Sequence, residues 1–365
     1  MSRASNGLAQ RTNLAAELIA WQHQHGRHHL PWQDTRDPYR VWRSEIMLQQ
    51  TQVSTVLAYY APFLARFPDV AALAAGRQDD VLACWSGLGY YSRARNLHRC
   101  AQAVMQQHAG RFPTDSATLA TLPGIGRSTA AAIAAFCFGQ RCAILDGNVK
   151  RVLTRVLGFA DDLADARNER KLWALAESLL PPANDPAGIV AYTQGLMDLG
   201  ATVCTRSKPA CEACPLAGRC VALAQGRQAD FPLKTRNLKR GQRQHHLLWL
   251  NRGDLVWLVQ RPDSGVWAGL WTWPEFDDAL ALDALVGTWP GELTPLPTIK
   301  HVLTHLDWWL TPWRLDLSEP LAPGQLRAIE AALPPGRWWP WEQALALGLP
   351  APIRRWMESR SAVLV

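Results

Sequence analysis

Cys204, Cys211, Cys214 and Cys220 follow one another closely enough to bring four thiolates into one short loop. Four sulfurs suit either a tetrahedral zinc ion or an iron-sulfur cube. Zinc ribbons usually present two close cysteine pairs, and only Cys211 and Cys214 form such a pair here. Arg206, Lys208 and Arg219 lie in or beside the loop, where they either meet phosphates or simply solvate it. A second constellation is the run Leu122-Pro123-Gly124-Ile125-Gly126-Arg127-Ser128-Thr129. Its glycines permit a tight turn that exposes successive backbone N–H groups, and Ser128 or Thr129 can cap the Ala-rich helix beyond. With Arg127 adding charge, the turn can hold an anion, although a lone Gly-x-Gly also serves as an ordinary interhelical turn. The third feature is Glu45, set among Trp42, Ile46 and Leu48. Such neighbours disfavour a charged carboxylate and suit the carboxyl to donate a proton at neutral pH.

Helices must position these groups. Apolar residues recur at helical spacing over 40–60, 88–108, 128–138 and 169–180, with Pro/Gly joints between them and no convincing strand. Beyond residue 244 the pattern becomes short apolar runs, 246–250, 255–260 and 308–313, separated by turns, which predicts an α+β module with a small sheet. The charge divides at the same place. Residues 1–226 carry 23 Lys+Arg against 17 acids, 227–243 carry 6 against 1, and 244–365 carry 9 against 13. Of the 18 tryptophans, 13 lie at or after Trp249, so two chemically different domains meet near residue 235.

A length of 365 residues, 48% hydrophobic and 19% charged, is that of a multidomain globular chain rather than a disordered one. The longest apolar run, 130–138, is far short of the ~20 residues a membrane-spanning helix needs. The first ten residues show no secretory pattern, so a reducing compartment is expected and the clustered cysteines favour a metal site over disulfides. No solenoid-period repeat or long low-complexity tract is present.

The hairpin, the Ala-rich helix and then Asp146 within Leu145-Asp146-Gly147-Asn148-Val149-Lys150-Arg151 resemble the helix-hairpin-helix DNA glycosylase superfamily. The cysteine spacing looks like the 4Fe-4S loop of its endonuclease III and adenine glycosylase branch. Leu30-Pro31-Trp32, the run from Pro38 to Val53, Gly87-Leu88-Gly89-Tyr90-Tyr91-Ser92 and Met197-Asp198-Leu199-Gly200-Ala201 are similar to the adenine DNA glycosylase family, the MutY type. The resemblance covers nearly the whole chain. It implies a multidomain fold: an all-α helix-hairpin-helix glycosylase region over 1–226 with a 4Fe-4S loop, then an α+β Nudix-like domain over 244–365. Within the first, 34–142 would form a six-helix subdomain and 1–33 with 143–226 the iron-sulfur subdomain. A basic linker, 227–243, would join the two domains.

The resemblance also assigns roles. Glu45 would protonate N7 of adenine and later activate water, Asp146 would stabilise the oxocarbenium-like sugar, and Asn148 would help orient them. The hairpin, with Gly124, Gly126, Arg127 and Ser128, would grip DNA, and Lys150 would contact a phosphate. Gln50, Thr51, Leu88 and Tyr90 match wedge and intercalating positions, with core packing the competing reading for Leu88. Trp32, for which core packing competes equally, and Gln194 match the adenine pocket. Where bifunctional relatives carry a lysine this chain has Ser128, whose hydroxyl forms no Schiff base, so lyase chemistry is not expected. In the second domain Leu303-Thr304-His305 stands at the 8-oxoguanine-reading loop, and the Glu-rich metal box of active Nudix enzymes is missing. The expected partner is double-stranded DNA with A:8-oxoguanine or A:G mispairs. A cytoplasmic, nucleoid-associated monomer is expected, with no membrane contact. The alternatives are a bifunctional oxidised-pyrimidine glycosylase/lyase and a non-catalytic iron-sulfur DNA-binding protein.

Overall fold

The computed structural model describes residues 2–235 and 240–361, with side chains described for 14–235 and 240–359. Positions 236–239 of the expected linker lie outside the described residues. The chain folds into two compact units. One comprises Met1–Val56, Asp69–Ala74 and Arg99–Arg236, and the other Leu57–Pro68, Ala75–His98 and Asn237–Val365. Segments 57–68 and 75–98, read in sequence as part of the helical region, thus group by packing with the carboxy-terminal module.

The helices up to residue 226 are α1 (Ser2–His25), α2 (Pro38–Leu48), α3 (Val53–Arg66), α4 (Val70–Ala75), α5 (Gln78–Cys84) and α6 (Ser92–Gln107), then α7 (Ser116–Leu119), α8 (Arg127–Phe138), α9 (Gly147–Leu157), α10 (Ala166–Ser178), α11 (Pro186–Asp198) and α12 (Val221–Ala224). Aspartates start many of them. The carboxylates of Asp37, Asp115, Asp146, Asp165 and Asp185 each accept a bond from a backbone N–H of the first turn, a cap worth about 1 kcal/mol. Pro38 and Pro186 add the fixed φ of a helix start. Leu14, Leu18, Ile144, Leu145, Leu153 and Leu196 are among the residues of the first unit's core.

Two sequence expectations need correction. The run 40–60 is two helices, because Gln50 takes φ 55° and the chain turns between α2 and α3. The run 88–108 becomes helical only at Ser92, since Gly87, Gly89 and Tyr90 all have positive φ. A side chain at Gly87 would meet the Tyr59 hydroxyl, so the turn is fixed by packing as well as conformation. Both turns bear residues expected to enter DNA.

Among the described residues of the second unit, eight strands form one mixed sheet: β1 (Gly241–Arg252), β2 (Leu255–Gln260), β3 (Trp271–Thr272), β4 (Glu275–Phe276), β5 (Leu293–Pro295), β6 (Ile299–Val302), β7 (Leu306–Asp316) and β8 (Gly336–Pro340). The order is β3-β2-β1-β7-β5, with β4 on β1, β6 on β7 and β8 on β2. β1 and β7 run parallel from Gly241↔Leu306 to Asn251↔Asp316, and the other pairs are antiparallel. This long pairing starts β1 ahead of residue 244, inside the expected linker, where local periodicity gives no signal. Helices α13 (Ala279–Val286), α14 (Gln325–Ala332), α15 (Trp341–Leu345) and α16 (Ala351–Ser361) complete the unit. Its tryptophans mostly build the interior: Trp249 stacks on Trp273 at 4.7 Å, and Trp308 meets Trp267 at 4.6 Å.

Candidate active site

The first unit contains an open cleft of about 1410 Å³. Trp32, Glu45, Gln50, Thr51, Ser128, Asp146, Asn148 and Gln194, all singled out in the sequence, line it together. Glu45 projects from α2 beside the buried Ile46 and Trp42. Burial, reinforced by the nearby Asp146 charge, pushes its carboxyl up to about 8. Asp146 is the N-cap of α9 and accepts a 2.7 Å bond from the Val149 N–H. Burial raises its pKa too, but the N–H groups of Val149 and Asn148 and the charges of Arg151 and Lys150 favour its anion. Both acids are shifted upward, Glu45 by burial and the Asp146 charge, Asp146 by burial that the α9 N–H groups and cations partly offset. Asp146 is both a helix cap and a wall of the cleft.

Helix α9 carries the cleft's chemistry toward the cysteines. Asn148, Arg151 and Arg155 recur at helical spacing. Arg151 donates to Asn148 Oδ1 at 2.8 Å and to the carbonyls of Gly200 and Cys204 at 2.7 and 2.8 Å. Arg155 donates to Cys204 Sγ at 3.4 Å and to the carbonyls of Thr205, Arg206 and Gln228. All four cysteines are free thiols, half-buried, lining one cavity with Val152, Val156, Leu199 and Pro209. Burial and the neighbouring thiols push Cys214 up to about 11. Among the described residues no three His, Cys, Asp or Glu side chains converge as ligands of one metal ion. The four thiols facing one cavity are a donor set that an iron-sulfur cluster can use.

The hairpin lies between α7 and α8, with Gly124 at φ 76° and Gly126 as N-cap of α8. Ser128 Oγ accepts the Leu145 N–H at 3.0 Å. Arg127 pairs with Glu177 at 2.5 Å and sits 3.9 Å over the Trp173 ring, while Lys150 pairs with Glu169 at 2.6 Å. Both cations expected at phosphates therefore already hold carboxylates of α10. In the second unit Leu88 is 6% exposed and Tyr90 46% exposed. The Tyr90 hydroxyl lies 3.1 Å from that of Thr304, which with His305 forms the exposed turn between β6 and β7. Glu275, the one carboxylate of segment 265–275, is paired with Arg261 and His245.

Residues 43–178 match the HhH-GPD superfamily of base excision DNA repair proteins, 204–220 the iron-sulfur binding domain of endonuclease III, and 245–359 the NUDIX domain. A relative from Buchnera aphidicola subsp. Schizaphis graminum, the adenine DNA glycosylase, is 32% identical over 93% of this chain and 96% of that protein. The chain belongs to the adenine DNA glycosylase family. The adenine DNA glycosylase of Mus musculus is 34% identical over 92% of this chain and 75% of that protein. A solved thermostable thymine-DNA glycosylase covers 61% of this chain and 99% of its own at TM-score 0.52 and 28% identity. An endonuclease III–DNA complex, at 19% identity and TM-score 0.50, shares the fold over 60% of this chain and 97% of its own. The protein is thus an adenine DNA glycosylase of base excision repair, a hydrolase of N-glycosyl bonds with an iron-sulfur binding loop. Among the described residues no helix is long and apolar enough to cross a membrane.

Sequence reading missed some members of this glycosylase's cleft. Arg27, Arg151 and Gln33 line it, and Gln49 donates to Thr129 at 3.3 Å. Arg151 could have been found from its helical spacing to Asn148; Arg27 offers no local signal, because its partner Asp198 is 171 positions away.

Proposed function

We propose that this glycosylase removes adenine mispaired with 8-oxoguanine, or with guanine, from double-stranded DNA by monofunctional hydrolysis. The observation that carries the reading is a carboxyl pushed up to about 8 sharing one cleft with a second acid whose burial is partly offset by backbone N–H groups and cations. Such a pair suits departure of a purine. Glu45 donates its proton to N7, adenine leaves with the bonding electrons, and the Asp146 carboxylate stabilises the cationic sugar, transiently or as a covalent ester. Glu45, now ionised, takes a proton from the attacking water. Asn148 orients the pair through the Arg151 network.

The base must be extruded first. Trp32 and Gln194 receive it, Gln50, Thr51 and Tyr90 enter the duplex, and Leu88 joins them only if its turn opens. Gly124, Gly126, Arg127, Ser128 and Lys150 hold the backbone. Thr304 and His305 read the N7–H and O8 edge of 8-oxoguanine. Cys204, Cys211, Cys214 and Cys220 hold one 4Fe-4S cluster, whose role in this reading is to fix the loop that Arg151 and Arg155 tie to α9. The protein works as a cytoplasmic monomer at the nucleoid. Incubation with A:8-oxoguanine, A:G and thymine-glycol duplexes, with and without alkali, tests this. Alkali-dependent breaks at adenine are expected; alkali-independent breaks at thymine glycol, or none at A:8-oxoguanine, contradict it.

A further inference from the structure

Asp198 closes α11 at its junction with a π-helical turn, Leu199–Val203, a distortion often found at functional sites. Its side chain is buried, 1% exposed, and it faces three donor groups from two residues. Oδ1 accepts from Arg27 Nε at 2.7 Å and from Gln194 Nε2 at 2.9 Å, and Oδ2 accepts from the Arg27 backbone N–H at 2.9 Å. A carboxylate paired with a guanidinium in this way accepts hydrogen bonds and does not donate them. The carboxamide of Gln194, one helical turn before it, must therefore turn its N–H₂ toward Asp198. Its Oε1 is left as the end presented to the cleft that Gln194 lines.

We infer that Asp198, held by Arg27, is a positioning residue that fixes the Gln194 amide so that the base pocket offers an acceptor and selects a purine with an exocyclic amine. This rests on the reading of the cleft as the pocket for extruded adenine. Adenine's N6–H₂ donates to Gln194 Oε1. A 6-oxopurine such as hypoxanthine brings an acceptor to the same place, leaving two acceptors facing each other away from water. Selection against it comes from an amide that cannot rotate. Neither Arg27 nor Asp198 touches the base in this arrangement.

The test is a set of single-turnover excision rates on duplexes carrying adenine, unsubstituted purine or hypoxanthine opposite 8-oxoguanine. Asp198→Asn offers Gln194 an amide group that can donate, freeing it to rotate, and Arg27→Met removes the group that holds the carboxylate. In each, the adenine rate should fall about tenfold, the worth of one hydrogen bond, while purine, which lacks the amine, is excised as before. The hypoxanthine-to-adenine ratio should rise. Gln194→Leu should lower the adenine-to-purine ratio equally, and adding Asp198→Asn to it should change the ratio no further. If Asp198→Asn does not fold, Arg27→Met against Gln194→Leu completes the same cycle. Equal losses on adenine and purine, or a further fall in the double variant, overturn the inference. Wild-type protein that releases no adenine from A:8-oxoguanine overturns the proposed function instead.

Discussion

Ser128 Oγ accepts the backbone N–H of Leu145 at 3.0 Å, which ties the start of α8 to the residue that precedes Asp146. Ser128 thus has structural work in locating the acid of the cleft. Leu145 is 2% exposed, so losing its acceptor costs about 1–3 kcal/mol. Ser128→Ala should lower the melting temperature by a few degrees and slow single-turnover excision about tenfold. Ser128→Thr should keep most of both. Unchanged melting and rate in Ser128→Ala would show that the bond positions nothing.

The Glu45 carboxyl, raised to about 8 from 4.5, gives two pH dependences. The donor is the protonated form, so the rate of adenine release should fall as pH rises through about 8 and be nearly level just below. Stability follows the same group with a defined sign. Between the unfolded and folded pKa values the native state binds more protons than the unfolded chain, so raising the pH from 4.5 to 8 destabilises the fold. Glu45→Gln removes that penalty. Thermal melts should show the variant matching wild type near pH 5 and exceeding it at pH 8.5, while excision is lost. A melting difference that is flat with pH would contradict the assignment.

Lys150–Glu169 and Arg127–Glu177 place two α10 carboxylates where DNA phosphates are expected to bind. Binding must exchange each carboxylate for a phosphate. Half-exposed pairs of this kind are worth about 0–1 kcal/mol, so Glu169→Gln with Glu177→Gln should tighten duplex binding several-fold, measured by fluorescence anisotropy at fixed salt. Lys150→Ala should weaken binding to all sequences alike and flatten its salt dependence. Binding that the glutamine variants leave unchanged would place the phosphate elsewhere.

Tyr90 and Thr304 hold each other through a 3.1 Å hydroxyl contact in the second unit. Thr304→Val keeps the shape and removes the hydroxyl. The ratio of excision rates on A:8-oxoguanine and A:G should fall several-fold in this variant, with little change on A:G, and be preserved in Thr304→Ser. An unchanged ratio would remove Thr304 from lesion reading.

What was legible in the sequence was local chemistry. Asp37-Pro38 and Asp185-Pro186 carry a local helix-start signal of capping and proline geometry that the apolar runs 40–60 and 169–180 did not use. The cysteine loop and the Gly124–Gly126 turn were visible because they too are local. The break between α2 and α3 was not, because apolar spacing continues on both sides while the deciding event is the positive φ of Gln50. Parallel pairing of β1 with β7 was hidden too, since Gly241 meets Leu306 only after the chain has built most of the sheet. In the cleft, the residue types of Glu45 and Asp146 could be read from sequence. The proton-donor character of Glu45 could be read too, from its apolar neighbours; the groups that offset burial at Asp146 could not, because the α9 backbone N–H groups and cations meet it only in the folded chain. Arg27 and Asp198 likewise meet only in the folded chain.

The central claim is that Glu45 and Asp146 together break the adenine glycosidic bond without cutting the strand. Single-turnover cleavage of an A:8-oxoguanine duplex by wild type, Glu45→Gln and Asp146→Asn, each with and without alkali, measures it directly. Wild type should yield breaks at adenine only after alkali, and each variant should lose at least about a hundredfold in rate while still binding the duplex. Breaks formed without alkali, or variants that keep wild-type rates, would contradict it.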